Sequence, residues 1–213
     1  MSWLALDASG ERAGLAVVAD DGTVLRKVFA PLRPGLIETL PLLLEEAARA
    51  HPISNVAIGT GPGSFTGLRT SIALAQGFAA AANIPLWGVP AGAAYASPFP
   101  QLHRPLWVVL RARKNRLFLL RDGMAEACAD LDLPFPRAPI ALAGNEAALA
   151  AATLAARSAD VLLTNARTID PAWTAHAAQA RAAAGLPPLP AQPAYIDPPE
   201  AKLPAGGLRP APL

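Results

Sequence analysis

The order in which short apolar runs and longer amphipathic stretches follow one another restricts the fold of this chain more than any other feature. Apolar runs at 3–6 and 15–18 are separated by Ser9, Gly10 and Gly14, and a third at 23–29 follows Asp21-Gly22, which predicts three strands joined by tight turns. After Pro31 and Pro34, residues 36–50 place Leu36, Leu40, Leu43, Leu44 and Ala47 on one face at helical period, so a helix is expected, kinked or begun at Pro41. An apolar run at 56–59 predicts a buried strand, 66–82 an alanine-rich helix, and 86–89 a strand beyond Pro85. The second half repeats this order more weakly. Runs at 106–110 and 117–120 predict a hairpin, with strands near Cys128 and at 140–143. A helix over 146–156 with Asn145 as its cap, a strand at 161–163 and a helix over about 171–184 then lead into a Pro-rich tail.

Three antiparallel strands followed by crossover helices and parallel strands describe a ribonuclease-H-like unit, and two such units face to face give the architecture of actin, sugar kinases and heat-shock ATPases. The expected fold is therefore α/β with two ribonuclease-H-like lobes, the second degenerate. The N-terminal lobe spans 1–95 and the C-terminal lobe 96–213, with the boundary between Val89 and Arg104. Proteins of this architecture hold nucleotide between the lobes, with hairpin turns on the phosphates, although a shared fold does not establish a shared activity.

A chain of 213 residues accommodates such a pair of units. Its 53% apolar content is inflated by 49 Ala, while 23 Pro, 16 Gly and only 16% charged residues favour short elements joined by turns and exclude charge-driven disorder. The net charge of +2 supplies no global basic field demanding nucleic acid. Cys128, the single cysteine, cannot form an intrachain disulfide, and residues 1–10 lack the basic start and long apolar run of a secretory signal, so a cytoplasmic protein is expected. The uncharged stretch 70–103 is broken by Gln76, Asn83, Pro85 and Pro90 into pieces too short for a membrane span and reads as a buried helix and strand.

The most distinctive segment lies between the fourth strand and the alanine-rich helix: Gly59-Thr60-Gly61-Pro62-Gly63-Ser64-Phe65-Thr66-Gly67-Leu68-Arg69-Thr70. Gly61 and Gly63 permit unusual backbone angles, and Ser64 or Thr66 caps a helix whose N-terminal amides attract anions. The spacing matches neither a Walker loop nor the dinucleotide fingerprint. Three readings stand: a tight turn that docks one helix closely on the sheet, a ligand site suited to phosphate, or a protein contact.

Residues 61–69, followed by Ile72-Ala73-Leu74-Ala75-Gln76-Gly77, strongly resemble the bacterial TsaB (YeaZ) family. Supporting pieces are Leu4-Ala5-Leu6-Asp7-Ala8-Ser9, Leu40-Pro41-Leu42-Leu43, Pro85-Leu86-Trp87-Gly88-Val89 and Pro193-Ala194-Tyr195-Ile196, covering the N-terminal half well and the C-terminal half thinly. The resemblance implies a noncatalytic scaffold in the complex that installs threonylcarbamoyl on adenosine 37 of tRNA. The implied partners are a TsaD-like catalytic subunit, a TsaE-like ATPase and tRNA reached through the complex, with a homodimer when alone and no membrane. No cofactor of its own is implied; ATP and magnesium belong at the interface of the complex.

The family pairs through helices of the first lobe, which points to Leu36, Leu40, Leu43, Phe65, Leu68, Arg69, Ile72 and Gln76 as the interface; Leu42 lies off the stripe expected to face the sheet. Asp7, Ser9, Gly61, Gly63 and Ser64 are the candidates for nucleotide contact, Asp7 standing where related kinases position magnesium. The chain departs from the family where Asp-Ala-Arg is usual and Arg111-Ala112-Arg113 stands, where Glu-Val-Tyr becomes Arg116-Leu117-Phe118, and at Gly35, where His is common. Replacing a carboxylate by Arg removes a metal or water ligand from the second lobe. Arg111, Arg113, Lys114 and Arg116, with Arg121, form a basic hairpin that reads either as a tRNA contact or as a solvated surface. An independent ATP-dependent kinase or ATPase built on Asp7 is the alternative from another class. A metalloprotease is opposed by the isolation of His51, His103 and His176.

Overall fold

The computed structural model describes residues 1–31, 36–130 and 132–196, with backbone alone at 31 and 36–38. The first half comprises β1 (Ser2–Asp7), β2 (Arg12–Ala19), β3 (Val24–Pro31), α1 (Leu36–Ala50), β4 (Ile53–Gly61), α2 (Phe65–Ala82), β5 (Leu86–Pro90) and α3 (Ala91–Ala96). The second comprises β6 (Leu106–Arg113), β7 (Arg116–Arg121), β8 (Met124–Ala129), β9 (Ile140–Ala143), α4 (Ala147–Ala155), β10 (Val161–Leu163) and α5 (Pro171–Ala183). The strand order β3-β2-β1-β4-β5 in one sheet is matched by β8-β7-β6-β9-β10 in the other. In each, the first three strands are antiparallel and the last two join in parallel through crossovers.

The second unit is degenerate for a legible reason. Where the first inserts α1, residues 130–139 carry Pro134, Pro136 and Pro139, each of which removes a donor and fixes φ, and the described residues there form no helix. Helix α1 begins at Leu36 and runs on through Pro41. Helix α2 starts at Phe65, with Ser64 Oγ accepting from the Gly67 amide at 3.3 Å, and ends at Asn83 in the left-handed conformation. Asn145 does not cap α4: Glu146 stands at the cap without a side-chain bond, and Asn145 Oδ1 accepts from the Arg111 amide at 2.9 Å.

Helices α1 and α2 cover one face of the first sheet through Leu40, Leu44, Ala47, Leu68, Ile72 and Ala75. Its other face carries α5, where Ala172, Ala175 and Ala178 meet Trp3, Ala16 and Trp87. Alanine suits this layer because α3 and α5 lie between the two sheets, where larger side chains would force the layers apart. Gly14 marks how close the approach is: a Cβ there would stand 2.9 Å from Pro171 Cδ. Helix α4 packs on the outer face of the second sheet through Ala147, Ala150 and Leu154. Although α5 belongs to the second half of the sequence, it is buried against the first sheet, and Lys27 Nζ reaches its cap, Asp170, at 2.6 Å.

The tail does more than trail away. Gly88 donates to Leu189 O at 2.9 Å, Ala194 donates to Thr60 O at 2.8 Å, and Gln76 Nε2 donates to Ala191 O at 3.0 Å. Residues 189–195 thus strap the β5 edge and the flank of α2, which satisfies an edge that would otherwise invite strand pairing. The uncharged stretch 70–103 resolves into α2, β5 and α3, and among the described residues no helix is long and apolar enough to cross a membrane.

Candidate functional site between the two sheets

The C-terminal end of β1, the turn after it, the glycine-rich turn, α3, the end of β6 and the segment before α5 converge on one cavity of about 80 Å³. Asp7 lies at its floor, 5% exposed. Its Oδ1 accepts from the Ser9 amide at 3.0 Å and from Ser9 Oγ at 2.7 Å, whereas Oδ2 is buried with no partner among the described residues. Burial raises the Asp7 pKa above the ordinary carboxylate value, and the two Ser9 bonds only partly oppose that shift. Gly59 faces this carboxylate: a Cβ there would clash with Oδ2 and stand 2.7 Å from the carboxyl carbon. Tyr95 Oη donates to Arg167 O at 3.2 Å, and its pKa is pushed up by burial and then by the Asp7 charge.

The glycine-rich turn packs closely on the Ala8–Ser9 backbone. Ser64 donates to Ser9 O at 2.7 Å, and a Cβ on Gly63 would clash with that oxygen and stand 2.8 Å from Ser9 Cβ. A Cβ on Gly67 would collide likewise with Ala8 O. With the Ser64 amide on Ser9, the Gly67 amide on the Ser64 hydroxyl and the Leu68 amide on Ser64 O, these donors at the start of α2 are already engaged. Of the five residues expected at nucleotide, Asp7, Ser9 and Gly63 line the cavity. Ser64 caps α2, and Gly61 lines a separate apolar groove with Pro90, Leu106, Val108 and Met124.

Arg111, one of the residues considered for a tRNA contact, also lines the cavity and is ion-paired within its own half. Its Nη1 lies 2.6 Å from Asp130 Oδ1 and its Nε 2.9 Å from Glu146 Oε1. Glu146 first and Asp130 second hold the guanidinium more firmly protonated than usual. Arg113 and Arg116 are engaged in interactions of their own, and Arg113 and Lys114 are exposed at the β6–β7 turn. Arg121 contacts Glu126 at 2.9 Å and lies 5.2 Å from the Trp107 ring centre.

The expected interface residues divide by burial. Leu40, Leu68 and Ile72 belong to the core, and Leu43 is partly buried against it. Phe65, Arg69 and Gln76 carry exposed surface, with the Arg69 guanidinium 3.8 Å from the Phe65 ring centre and Arg69 Nε donating to Tyr195 Oη at 2.9 Å. Leu42 projects away from the sheet, 65% exposed. The side chain of Leu36, like Gly35, lies outside the described residues.

Sequence reading missed Arg167, Asn145 and Thr168, which close the cavity from the second half. The signal available was a polar run, Thr164-Asn165 with Arg167-Thr168, between a strand and a capped helix. It also missed the strap, whose only trace is the density of Pro among residues 187–193.

Two mixed five-stranded sheets of matching order, facing each other across a polar cavity, define an actin-like ATPase fold. Solved structures agree: YeaZ from Pseudomonas aeruginosa aligns with a TM-score of 0.69 at 21% identity, over 92% of this chain and 100% of that one. The component A of (R)-2-hydroxyglutaryl-CoA dehydratase from Acidaminococcus fermentans aligns with a TM-score of 0.51 at 9% identity. The family model described as TsaD, tRNA N6-adenosine threonylcarbamoyltransferase, matches residues 36–133. The tRNA threonylcarbamoyladenosine biosynthesis protein TsaB of Escherichia coli is 37% identical over 93 residues, 42% of this chain and 40% of that protein. An uncharacterized protein of Mycobacterium tuberculosis is 33% identical over 147 residues, 65% of this chain and 66% of its own length. The matches thus span less than two thirds of these relatives. The chain is similar to TsaB in sequence over part of its length and to YeaZ in fold.

Proposed function

We propose that this chain is a noncatalytic, cytoplasmic scaffold subunit in the formation of N6-threonylcarbamoyladenosine at position 37 of tRNA. It pairs with a TsaD-like catalytic subunit, works alongside a TsaE-like ATPase, forms a homodimer when alone and meets tRNA only through the complex. The partial sequence similarity to TsaB and the fold shared with YeaZ support the pathway. The observation that carries the scaffold role is the close packing of the glycine-rich turn on the Ala8–Ser9 backbone, with the Ser64 amide bound to Ser9 O, where a phosphate-binding turn would keep that amide for its ligand. Leu42, Leu43, Phe65, Arg69 and Gln76 on the outer sides of α1 and α2 are the pairing surface.

Native mass spectrometry of the chain, alone and with the TsaD-like protein of its own organism, tests this. A homodimer that exchanges into a heterodimer, and that Leu42→Asp abolishes without loss of secondary structure, is the expected result. A strict monomer indifferent to that protein overturns the scaffold reading. An independent kinase or ATPase is favoured by one feature, the unpartnered Asp7 Oδ2. Yet the cavity above it, about 80 Å³, is well below the roughly 300–1,000 Å³ of drug-sized ligand sites. Magnesium-dependent ATP turnover lost in Asp7→Asn would support that second reading.

A further inference from the structure

Two buried polar atoms without partners among the described residues belong to residues that line the same cavity: Asp7 Oδ2, an acceptor, and Arg167 Nη1, a donor. Such atoms are destabilising when nothing meets them, so two around one cavity point to an occupant. That occupant must present an acceptor to Arg167 and a donor to Asp7. The cavity of about 80 Å³ has room for a few waters or one small oxyanion, a water taking about 30 Å³ of liquid volume. Its mouth carries Glu11 and Arg12, both exposed, and Arg12 stacks 4.6 Å from the Phe29 ring centre. Arg111 is compensated by Asp130 and Glu146, which leaves Arg167 as the interior cation of the lining without a carboxylate bound to it among the described residues.

We propose that this cavity binds a small oxyanion that still carries a hydroxyl, of the hydrogenphosphate or bicarbonate class, Arg167 Nη1 donating to its charged oxygen and its O–H donating to Asp7 Oδ2. An acceptor-only anion of equal size places bare oxygens against a buried carboxylate, so the site discriminates by the proton and not by shape or charge. Hydrogenphosphate and sulfate differ in that respect and have nearly the same dimensions.

The test is isothermal titration calorimetry of the full chain at pH about 7.5, with inorganic phosphate, bicarbonate and sulfate in turn. Phosphate or bicarbonate is expected to bind with at least tenfold preference over sulfate, about what one charge-assisted hydrogen bond supplies. Arg167→Met is expected to weaken the preferred anion about tenfold or more, and Asp7→Asn, whose amide can donate, to raise sulfate relative to phosphate. Circular dichroism establishes that each variant folds; if Arg167→Met does not, Arg167→Lys, which keeps the charge, is expected to retain binding in weakened form. Equal affinity for sulfate and phosphate, no binding of any of the three at tens of millimolar, or unchanged affinity in Arg167→Met overturns the proposal.

Discussion

Replacing Gly63 by Ala asks directly why the turn is rich in glycine. Gly63 does not adopt a positive φ, so the substitution adds no conformational strain, and the whole effect comes from space. The new methyl would clash with Ser9 O and stand 2.7 Å from Ser9 C and 2.8 Å from Ser9 Cβ, backbone and near-backbone atoms that cannot rotate aside. Relief requires the turn and the Asp7–Ser9 loop to separate, with loss of the 2.7 Å bond from Ser64 N to Ser9 O. Overpacking of this kind costs about 1–3 kcal/mol and the lost bond about 1 kcal/mol, giving about 2–4 kcal/mol in total. In a chain of this size that corresponds to a fall in Tm of roughly 4–15 °C. Gly77, within the helix α2 that follows the turn, is the control: it is exposed with nothing within 4 Å of a would-be Cβ, so Gly77→Ala is expected to stabilise by about 0.5–1 kcal/mol. Urea unfolding and thermal melts of the three proteins measure both effects. A neutral Gly63→Ala would show that the turn does not bear on Ser9, and with it would fall the argument that docking accounts for the glycines.

Arg111→Met should destabilise by about 1–2 kcal/mol, because it strands two half-buried carboxylates. Adding Glu146→Gln should recover part of that loss, which a double-mutant cycle by urea unfolding checks. Gly88→Ala should detach the strap, since a Cβ there would clash with Pro190 O and stand 3.0 Å from Leu189 O; limited proteolysis should then cut within residues 186–196 while the core persists. For Asp7, a folded-state pKa raised above 3.8 means that the folded chain holds a proton the unfolded chain has released, so stability falls as pH rises through that window. Asp7→Asn, which keeps an acceptor for Ser9, should therefore be more stable relative to the parent at pH about 7.5 than at pH about 4, by urea unfolding at both values.

The pattern of apolar runs was legible because each sheet buries at least one face, which imposes a period on the sequence. Leu40, Leu44 and Ala47 were placed correctly on the core side of α1, and Leu42 on the outer side. The same periodicity could not separate interface from core on α2, where Leu68 and Ile72 lie among the apolar residues that face the sheet. Helix α3 escaped notice because six residues with no side-chain cap leave almost no periodic signal. The strap and Arg167 were illegible for another reason: their placement depends on residues distant in sequence, Leu189 on Gly88 and Arg167 in the same cavity lining as Asp7, and neither rests on a local pattern.

The two charged groups nearest the ends of the central strands, Asp7 and Arg111, are held in different ways. Asp7 ends the central strand of the first sheet, and Arg111 stands near the end of the matching strand, β6, of the second. Both line the cavity, so an ion pair across it was open to them. It does not form because Arg111 meets two carboxylates of its own half, Asp130 at 2.6 Å and Glu146 at 2.9 Å, the former placed after β8 and the latter at the start of α4. A guanidinium so engaged gains little from a third carboxylate that is already desolvated. Asp7 is left with the Ser9 bonds alone, which is why burial dominates its pKa. With Arg111 bound to carboxylates of its own half, Asp7 has no cation paired with it among the described residues. The first unit keeps its shape through Ser9, which binds Asp7 on one side and receives Ser64 on the other, so the outer faces of α1 and α2 remain fixed whatever happens to the chemistry of the cleft.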